Sequence, residues 1–196
     1  MARPKNYDQD QVLTQAMLTF WFKGYEATGM RDLEAATGLK SSSLYNSFGS
    51  KEAIFVQVLE FYICRVIESR MDTYLAQEDP IAAIEDFFTS CFTDLPKDVQ
   101  GISCLMANTL AELADKNEAV RNVIKIGQRK ITRRFTDVID RAKTQGRIAD
   151  DVDTTILADQ LLISLNGLLV TSKLVKNKKQ MVSACKQSLG FLLRAS

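Results

Sequence analysis

Residues 24–52 read GYEATGMRDLEAATGLKSSSLYNSFGSKE, and the fold turns on this stretch. Met30, Leu33 and Ala36 recur at helical spacing between Thr28, a hydroxyl suited to cap a helix start, and Gly38, suited to end one. A second short helix is predicted from Ser41 to Ser47. Ser50 then precedes Lys51-Glu52, which puts a capping hydroxyl and a first-turn carboxylate at the start of another helix. Ahead of the stretch, Val12, Leu13, Ala16, Met17 and Phe20 form an apolar stripe that stops at Lys23-Gly24-Tyr25. Two short helices joined at a glycine turn, with a longer helix on either side, have the layout of a helix-turn-helix.

Beyond residue 52 the apolar residues keep the helical period and strand-like alternation is hard to find, so the fold is predicted to be all-α. The fourth helix carries Ile54, Phe55, Val58, Leu59, Tyr62, Ile63, Val66 and Ile67 and continues towards Leu75. That is longer than the first unit needs, so it is expected to run as one element into a second helical domain. Asp79-Pro80 caps and opens a helix through Ile84, Phe87, Phe88 and Phe92 that ends near Leu95-Pro96. Further helices are predicted from Ile102 to Ala114, Glu118 to Thr144, Asp153 towards Val175, and Lys179 to Leu193. The expected division is 1–50 for the helix-turn-helix unit and 51–196 for the second domain.

Composition narrows the function. The chain has 196 residues, 46% hydrophobic and 25% charged, with only 9 Gly and 3 Pro, so it folds rather than staying disordered. With 25 Lys+Arg against 24 Asp+Glu the net charge is +1, and any basic surface must be built locally. Within residues 1–55 six basic residues face six acidic ones, so an anion-binding face there requires the two signs to be segregated. Histidine is absent, which removes the commonest general base and metal ligand, and Cys64, Cys91, Cys104 and Cys185 contain no C-x-x-C pair. An enzyme, a metal and a cofactor are therefore not expected. The N-terminus lacks an apolar core and the run from Leu161 to Val170 is short for a bilayer, so a cytoplasmic protein without a membrane partner is expected.

Gly24-Tyr25-Glu26-Ala27-Thr28, Asp32-Leu33, Ala36-Thr37-Gly38, Ser43-Leu44-Tyr45, Phe48 and Ser50-Lys51-Glu52 resemble, in order and without a gap, the DNA-binding domain of TetR-family transcriptional regulators. The resemblance covers residues 10 to 55 and implies a homodimeric, ligand-responsive regulator, a repressor, on a near-palindromic double-stranded operator. Physical chemistry gives each residue a part. Thr28 at a helix start can offer a hydroxyl to phosphate. Lys40, Ser41, Ser42 and Ser43 at the start of the recognition helix are expected to meet base edges. Tyr45, Asn46 and Lys51 are expected on phosphate or bases, and Arg3 and Lys5 on an N-terminal arm add phosphate contacts. The chain departs from the family pattern at Gly29, Glu34, Lys40 and Ser47. Glu34 requires a donor or a path to water, because it sits between two closely packed helices.

In the second domain the resemblance implies architecture only. Leu161, Leu162, Leu165, Leu168 and Leu169 on one segment, with Val182, Cys185, Leu189, Leu192 and Leu193 on the next, supply stripes for a two-fold interface or for the chain's own core. Phe88, Phe92, Cys104, Met106 and Asn108 are the expected contacts of an unidentified small-molecule effector. Cys104 also opens an alternative, a thiol-responsive regulator of the same fold. A helical interaction module that does not bind DNA is a lesser alternative. Residues 121 to 147 hold nine basic residues against two acidic ones. Ile124, Gly127, Ile131, Phe135, Val138 and Ala142 form the apolar stripe between them, so the excess is expected on the solvated face, with an anionic effector or added attraction for DNA as the other uses.

Overall fold

Asp8 starts the fold by accepting from the amides of Asp10 at 2.9 Å and Gln11 at 3.3 Å, which caps α1 (Gln9–Lys23). The structure, a computed structural model, describes residues 7–94, 103–175 and 177–194. Arg3, Lys5 and the helix boundaries expected at Leu95-Pro96 and Ile102 lie outside the described residues. Among the described residues there is no strand.

α2 (Met30–Thr37) and α3 (Ser41–Phe48) follow α1 and meet at Gly38, whose φ of 71° is a left-handed end that favours glycine. The start of α2 differs from the expectation. Thr28 is buried and its hydroxyl donates to the Gly24 carbonyl at 2.7 Å. The cap residue is Gly29, whose N–H donates to Asp32 Oδ2 at 2.8 Å, while Asp32 Oδ1 takes the Lys23 ammonium at 2.6 Å. These two contacts, the Lys23 one foremost, hold the Asp32 carboxyl below the usual carboxylate range.

Glu34 finds its donors at the start of α3, accepting from the Ser41 hydroxyl at 2.6 Å and the Ser41 amide at 3.3 Å. It supplies the capping oxygen that Lys40, at the cap position, lacks.

Ser50 caps α4 (Lys51–Tyr62) through the Ala53 amide at 3.1 Å. The expected single long helix is interrupted: Ile63–Glu68 is a π-helical turn, followed by α5 (Ser69–Tyr74). The body is completed by α6 (Pro80–Thr93), α7 (Leu105–Leu113), α8 (Glu118–Thr144), α9 (Thr154–Thr171) and α10 (Lys178–Arg194). α9 alone among the described helices is long and apolar enough to cross a membrane, with a mean hydropathy of 1.3. Its Leu157, Ala158, Leu161, Leu165 and Leu169 face is buried as it packs on α8 and α10.

The head, α1 to α3, packs on α4 through Phe20, Leu33, Leu44, Ile54 and Phe55, with Phe20 and Phe55 rings 4.7 Å apart. Two sets of polar contacts fasten it to the body. The Trp21 indole N–H donates to the Ser103 carbonyl at 2.7 Å, and the Ser103 hydroxyl donates to the Leu169 carbonyl. From α7, Glu112 accepts from the amides of Tyr25 at 3.4 Å and Glu26 at 3.1 Å. Arg65 in the π turn pairs with Asp10 of α1, and Glu68 at its far end pairs with Lys130 of α8.

Gly127 lets α8 approach the π turn and α7. A Cβ there would stand 2.7 Å from Met106 Sδ and 2.9 Å from Ile63 Cδ1. Gly127→Leu is expected to cost at least ~1–3 kcal/mol by overpacking, read as a lower denaturant midpoint at unchanged slope. Gly127→Ala should lie nearer neutral, because the two contacts are ends of flexible side chains and the gain in helix propensity is ~1 kcal/mol. Glu34→Ala, which removes the acceptor at the start of α3, should cost ~1 kcal/mol by the same measurement.

Candidate nucleic-acid interface

α3 turns Leu44 and Phe48 into the head and leaves Lys40, Ser42, Tyr45 and Asn46 exposed, with Tyr45 at 50%. Ser42, Tyr45 and Asn46 are the i, i+3, i+4 outer face of the helix, and Lys40 stands at its cap position just before it. Ser43 is half-buried beside it, and the Ser41 hydroxyl is bound to Glu34. The Lys51 ammonium sits 4.3 Å from the centre of the Tyr25 ring, which fixes its position at the start of α4. Of the residues expected to meet DNA, the structure therefore places Ser42, Tyr45 and Asn46 on one helix face, with Lys40 exposed at the cap before it. Thr28 is turned inward, since its hydroxyl is spent on Gly24.

The charges of the head separate by use. Asp8 and Asp32 are spent on helix starts, Glu34 on Ser41, and Asp10 on Arg65. Among the described residues Arg31 and Lys40 have no carboxylate partner within 4 Å, and both are exposed. Asp8, Asp10, Asp32 and Glu34 are thus held by the protein's own contacts, while Glu26 and Glu52 are exposed and take part in no ion pair among the described residues, so the formal balance of the head stands and Lys40 is the cation at the start of α3.

The basic excess of α8 is largely consumed within the body. Lys130, Arg134 and Arg147 pair with Glu68, Asp72 and Asp79. Arg141 donates to the carbonyls of Leu75 at 2.6 Å and Gln77 at 2.8 Å, and Arg121 to that of Ala114 at 2.5 Å.

Inside the body, Cys104 and Met106 line a closed cavity of about 20 Å³ with Tyr62, Arg70, Cys91 and Asn166. Phe88 and Phe92, expected there, do not line it: Phe88 is fully buried and stacks on Phe135 at 5.9 Å, touching Phe87, which does reach the cavity. Asn108 faces the cleft between α7 and the end of α1, and its amide donates to the Ser103 carbonyl at 3.3 Å. The Tyr62 hydroxyl donates to Cys104 Sγ at 3.2 Å, and burial raises the Tyr62 pKa well above its ordinary value. Burial also pushes the Cys91 thiol up to about 11, against the opposing pull of the Arg70 guanidinium, and the Cys185 thiol up to about 12. Both remain neutral thiols at neutral pH. Arg70 was not among the expected residues. Its signal in the sequence is a single cation following Ile63 and Ile67 on an otherwise apolar stripe. Among the described residues no group of three or more Cys, Asp or Glu is placed to hold a metal.

Comparison with known proteins agrees with this geometry. Residues 12–58 match the family described as bacterial regulatory proteins, tetR family, and residues 80–188 match tetracyclin repressor-like, C-terminal domain. The chain is 32% identical over 175 residues to the HTH-type transcriptional repressor ComR of Escherichia coli (strain K12), covering 87% of this chain and 82% of that protein. It is 30% identical over 174 residues to the HTH-type transcriptional repressor DhaR of Mycobacterium sp. (strain GP1), covering 87% and 85%. A cysteine mutant of the TetR family transcriptional regulator CifR, solved with 26-bp double-strand operator DNA, superposes with a TM-score of 0.81 at 26% identity, covering 95% of this chain and 98% of that one. A TetR-family regulator from Cytophaga hutchinsonii shares the fold at a TM-score of 0.83 and 20% identity, covering 97% and 98%. With its head and its body both matched and relatives of this identity along most of its length, the chain belongs to the TetR family of bacterial transcriptional regulators.

Proposed function

We propose that this protein is a homodimeric repressor that holds a near-palindromic double-stranded DNA operator through α3 and releases it when a small-molecule effector occupies the body. Residues 1–50 form the reading unit and 51–196 the effector and dimerisation unit. The observation that carries the reading is the outer side of α3, where Lys40, Ser42, Tyr45 and Asn46 are exposed while Asp10 and Asp32 are held in ion pairs and Glu34 caps the helix through Ser41. Lys40 and Ser42, at the helix start, read bases; Tyr45, Asn46 and Lys51 hold the backbone. Arg3 and Lys5 add arm contacts to phosphate, and the start of α2 after Thr28 offers backbone amides to one.

Support for the dimer comes from α9 and α10. Leu161, Leu165, Leu169, Cys185, Leu189 and Leu193 are spent on the chain's own core, and the free apolar face is Ile156, Ile163, Val170 and Phe191. A soluble monomer rarely leaves so many large side chains open along two adjacent helices. The effector site is the cavity at Cys104 and Met106, behind the π turn, with Phe88 supporting Phe87 in its wall, Phe92 buried further along α6, and Asn108 linking α7 to the Ser103 node. In a second reading Cys104 itself takes a thiol-reactive signal. The Tyr62 hydroxyl favours it, because it donates to Sγ and holds that sulfur at the N-cap of α7. The test is Cys104→Ser, which should abolish release by a thiol-reactive reagent while leaving operator affinity intact.

Lys51→Ala should weaken binding to every DNA sequence and flatten the log-log salt dependence by ~1, measured by fluorescence anisotropy across salt concentrations. Ser42→Ala should instead alter base preference at one position of each half-site, with half-sites ~34–36 Å apart. Ile163→Asp with Phe191→Asp should give a monomer in sedimentation at micromolar concentration and lose operator binding. A monomer that binds undiminished would overturn the dimer.

A further inference from the structure

Arg70, in the first turn of α5, sends its guanidinium into the body. Its Nη2 donates to the Asp94 carbonyl at 3.1 Å and the group lies against the Cys91 thiol. Asp94, the adjacent carboxylate, is turned away: its oxygens take the hydroxyls of Tyr74 and, at 2.8 Å, Thr93. None of the five ion pairs among the described residues includes Arg70. A guanidinium carries five N–H donors in a rigid fork, and a withdrawn one is ordinarily met by a carboxylate or by several carbonyls, as Arg141 is here. At Arg70 the protein supplies one carbonyl and one thiol.

The same side chain lines the closed cavity between α5, α6, α7 and α9. Among the described residues Arg70 is the only charged side chain in that lining, and the rest is apolar apart from Tyr62, Cys91, Cys104 and Asn166. One fixed positive charge against an apolar wall suits a single negative charge on an apolar body; a phosphate dianion would need a second cation. From this we propose that the cavity is the recognition site for the carboxylate of a small organic acid, which the Arg70 fork takes in bidentate fashion while the hydrocarbon part lies against Met106 and Leu165. The proposal rests on the reading of the chain as an effector-controlled repressor only for its consequence on DNA.

At about 20 Å³ the cavity has room for one water, so the acid enters by displacing it and repacking the wall. Met106 is the adaptable part, an unbranched side chain whose Sδ lies over Gly127, where no Cβ intervenes. Binding then bears on the head by two routes. Arg70 stands two residues beyond the π turn, which Arg65 ties to α1. Tyr62, also in the cavity wall, meets Trp21 edge-on at 5.0 Å.

The test uses butyrate, hexanoate and benzoate against butan-1-ol, hexan-1-ol and benzyl alcohol, titrated calorimetrically into the full-length protein at pH 7 without DNA. At least one acid should bind 10-fold or more tightly than its matched alcohol. Arg70→Met should erase that difference and leave the alcohol's affinity unchanged. Arg70→Lys, which keeps the charge and loses the fork, should fall between and serves if the methionine variant does not fold. Acids and alcohols binding equally, a preference that survives Arg70→Met, or no acid binding up to 10-fold above the concentration that saturates a matched alcohol would each overturn the proposal, as would no binding of any of the six compounds. Operator binding of the unliganded protein is measured separately. Its failure would count against the repressor reading and leave the acid result standing, and the converse holds equally.

Discussion

The hydrogen bond from the Trp21 indole to the Ser103 carbonyl is the constraint on which the arrangement of head and body depends. It is buried at 2.7 Å, and leaving either group unmet in that position costs ~1–3 kcal/mol, more than the net gain of a typical bond. The node is shared. Ser103 also holds α9 through the Leu169 carbonyl and receives the Asn108 amide, so one residue fastens α1, α7 and α9. Tyr62 abuts the indole from the side and reaches Cys104 with its hydroxyl. Whatever changes the packing around Tyr62 and Cys104 is therefore felt by the last turn of α1, one step from the turn that leads into α2 and α3.

A coupling of this kind works only through a difference. A molecule that binds equally well to two head positions shifts neither, however tightly it is held. The structure offers a source of difference in the two ion pairs at the ends of the π turn, Arg65 to Asp10 and Glu68 to Lys130, one reaching the head and the other the body. As exposed pairs they contribute little to stability. Their value is directional, since a movement of the turn relative to either side lengthens one without lengthening the other.

Much of this was legible in the sequence where one residue type has one physical use. Gly24 and Gly38 end helices, Asp79-Pro80 opens one, and Ser50 caps another, as their chemistry dictates. Thr28 misled because a threonine next to a helix start has two outlets for its hydroxyl, and the nearby Gly24 carbonyl took it while Gly29 became the cap residue with its amide on the Asp32 carboxylate. The π turn left no mark: Tyr62, Ile63, Val66 and Ile67 are apolar at spacings that satisfy either helical register. Glu34 looked like a misfit on one helix and became a cap for the next, a partnership that needs the turn at Gly38 to be folded first. The basic run of residues 121–147 reads as a solvated face in the sequence, but Lys130, Arg134 and Arg147 find carboxylates more than sixty residues away in the chain, on the π turn, α5 and the start of α6. Sequence periodicity reports which face is apolar. It is silent about which charge will find which.

The π turn has one more consequence. Such a turn is what an α-helix becomes when a residue is added and neither end is free to swivel. The stretch Lys51–Tyr62 and the stretch Ser69–Tyr74 are thus two screws cut to the same pitch but started out of phase, joined by a section that absorbs the mismatch. A chain with one residue fewer between them would close the turn into regular α-helix with the reading head held where it is, whereas an extra residue carried in an unbroken α-helix would move the head by ~1.5 Å and swing it by ~100° about the helix axis. In this protein the wide turn keeps the aim of the head independent of that one residue.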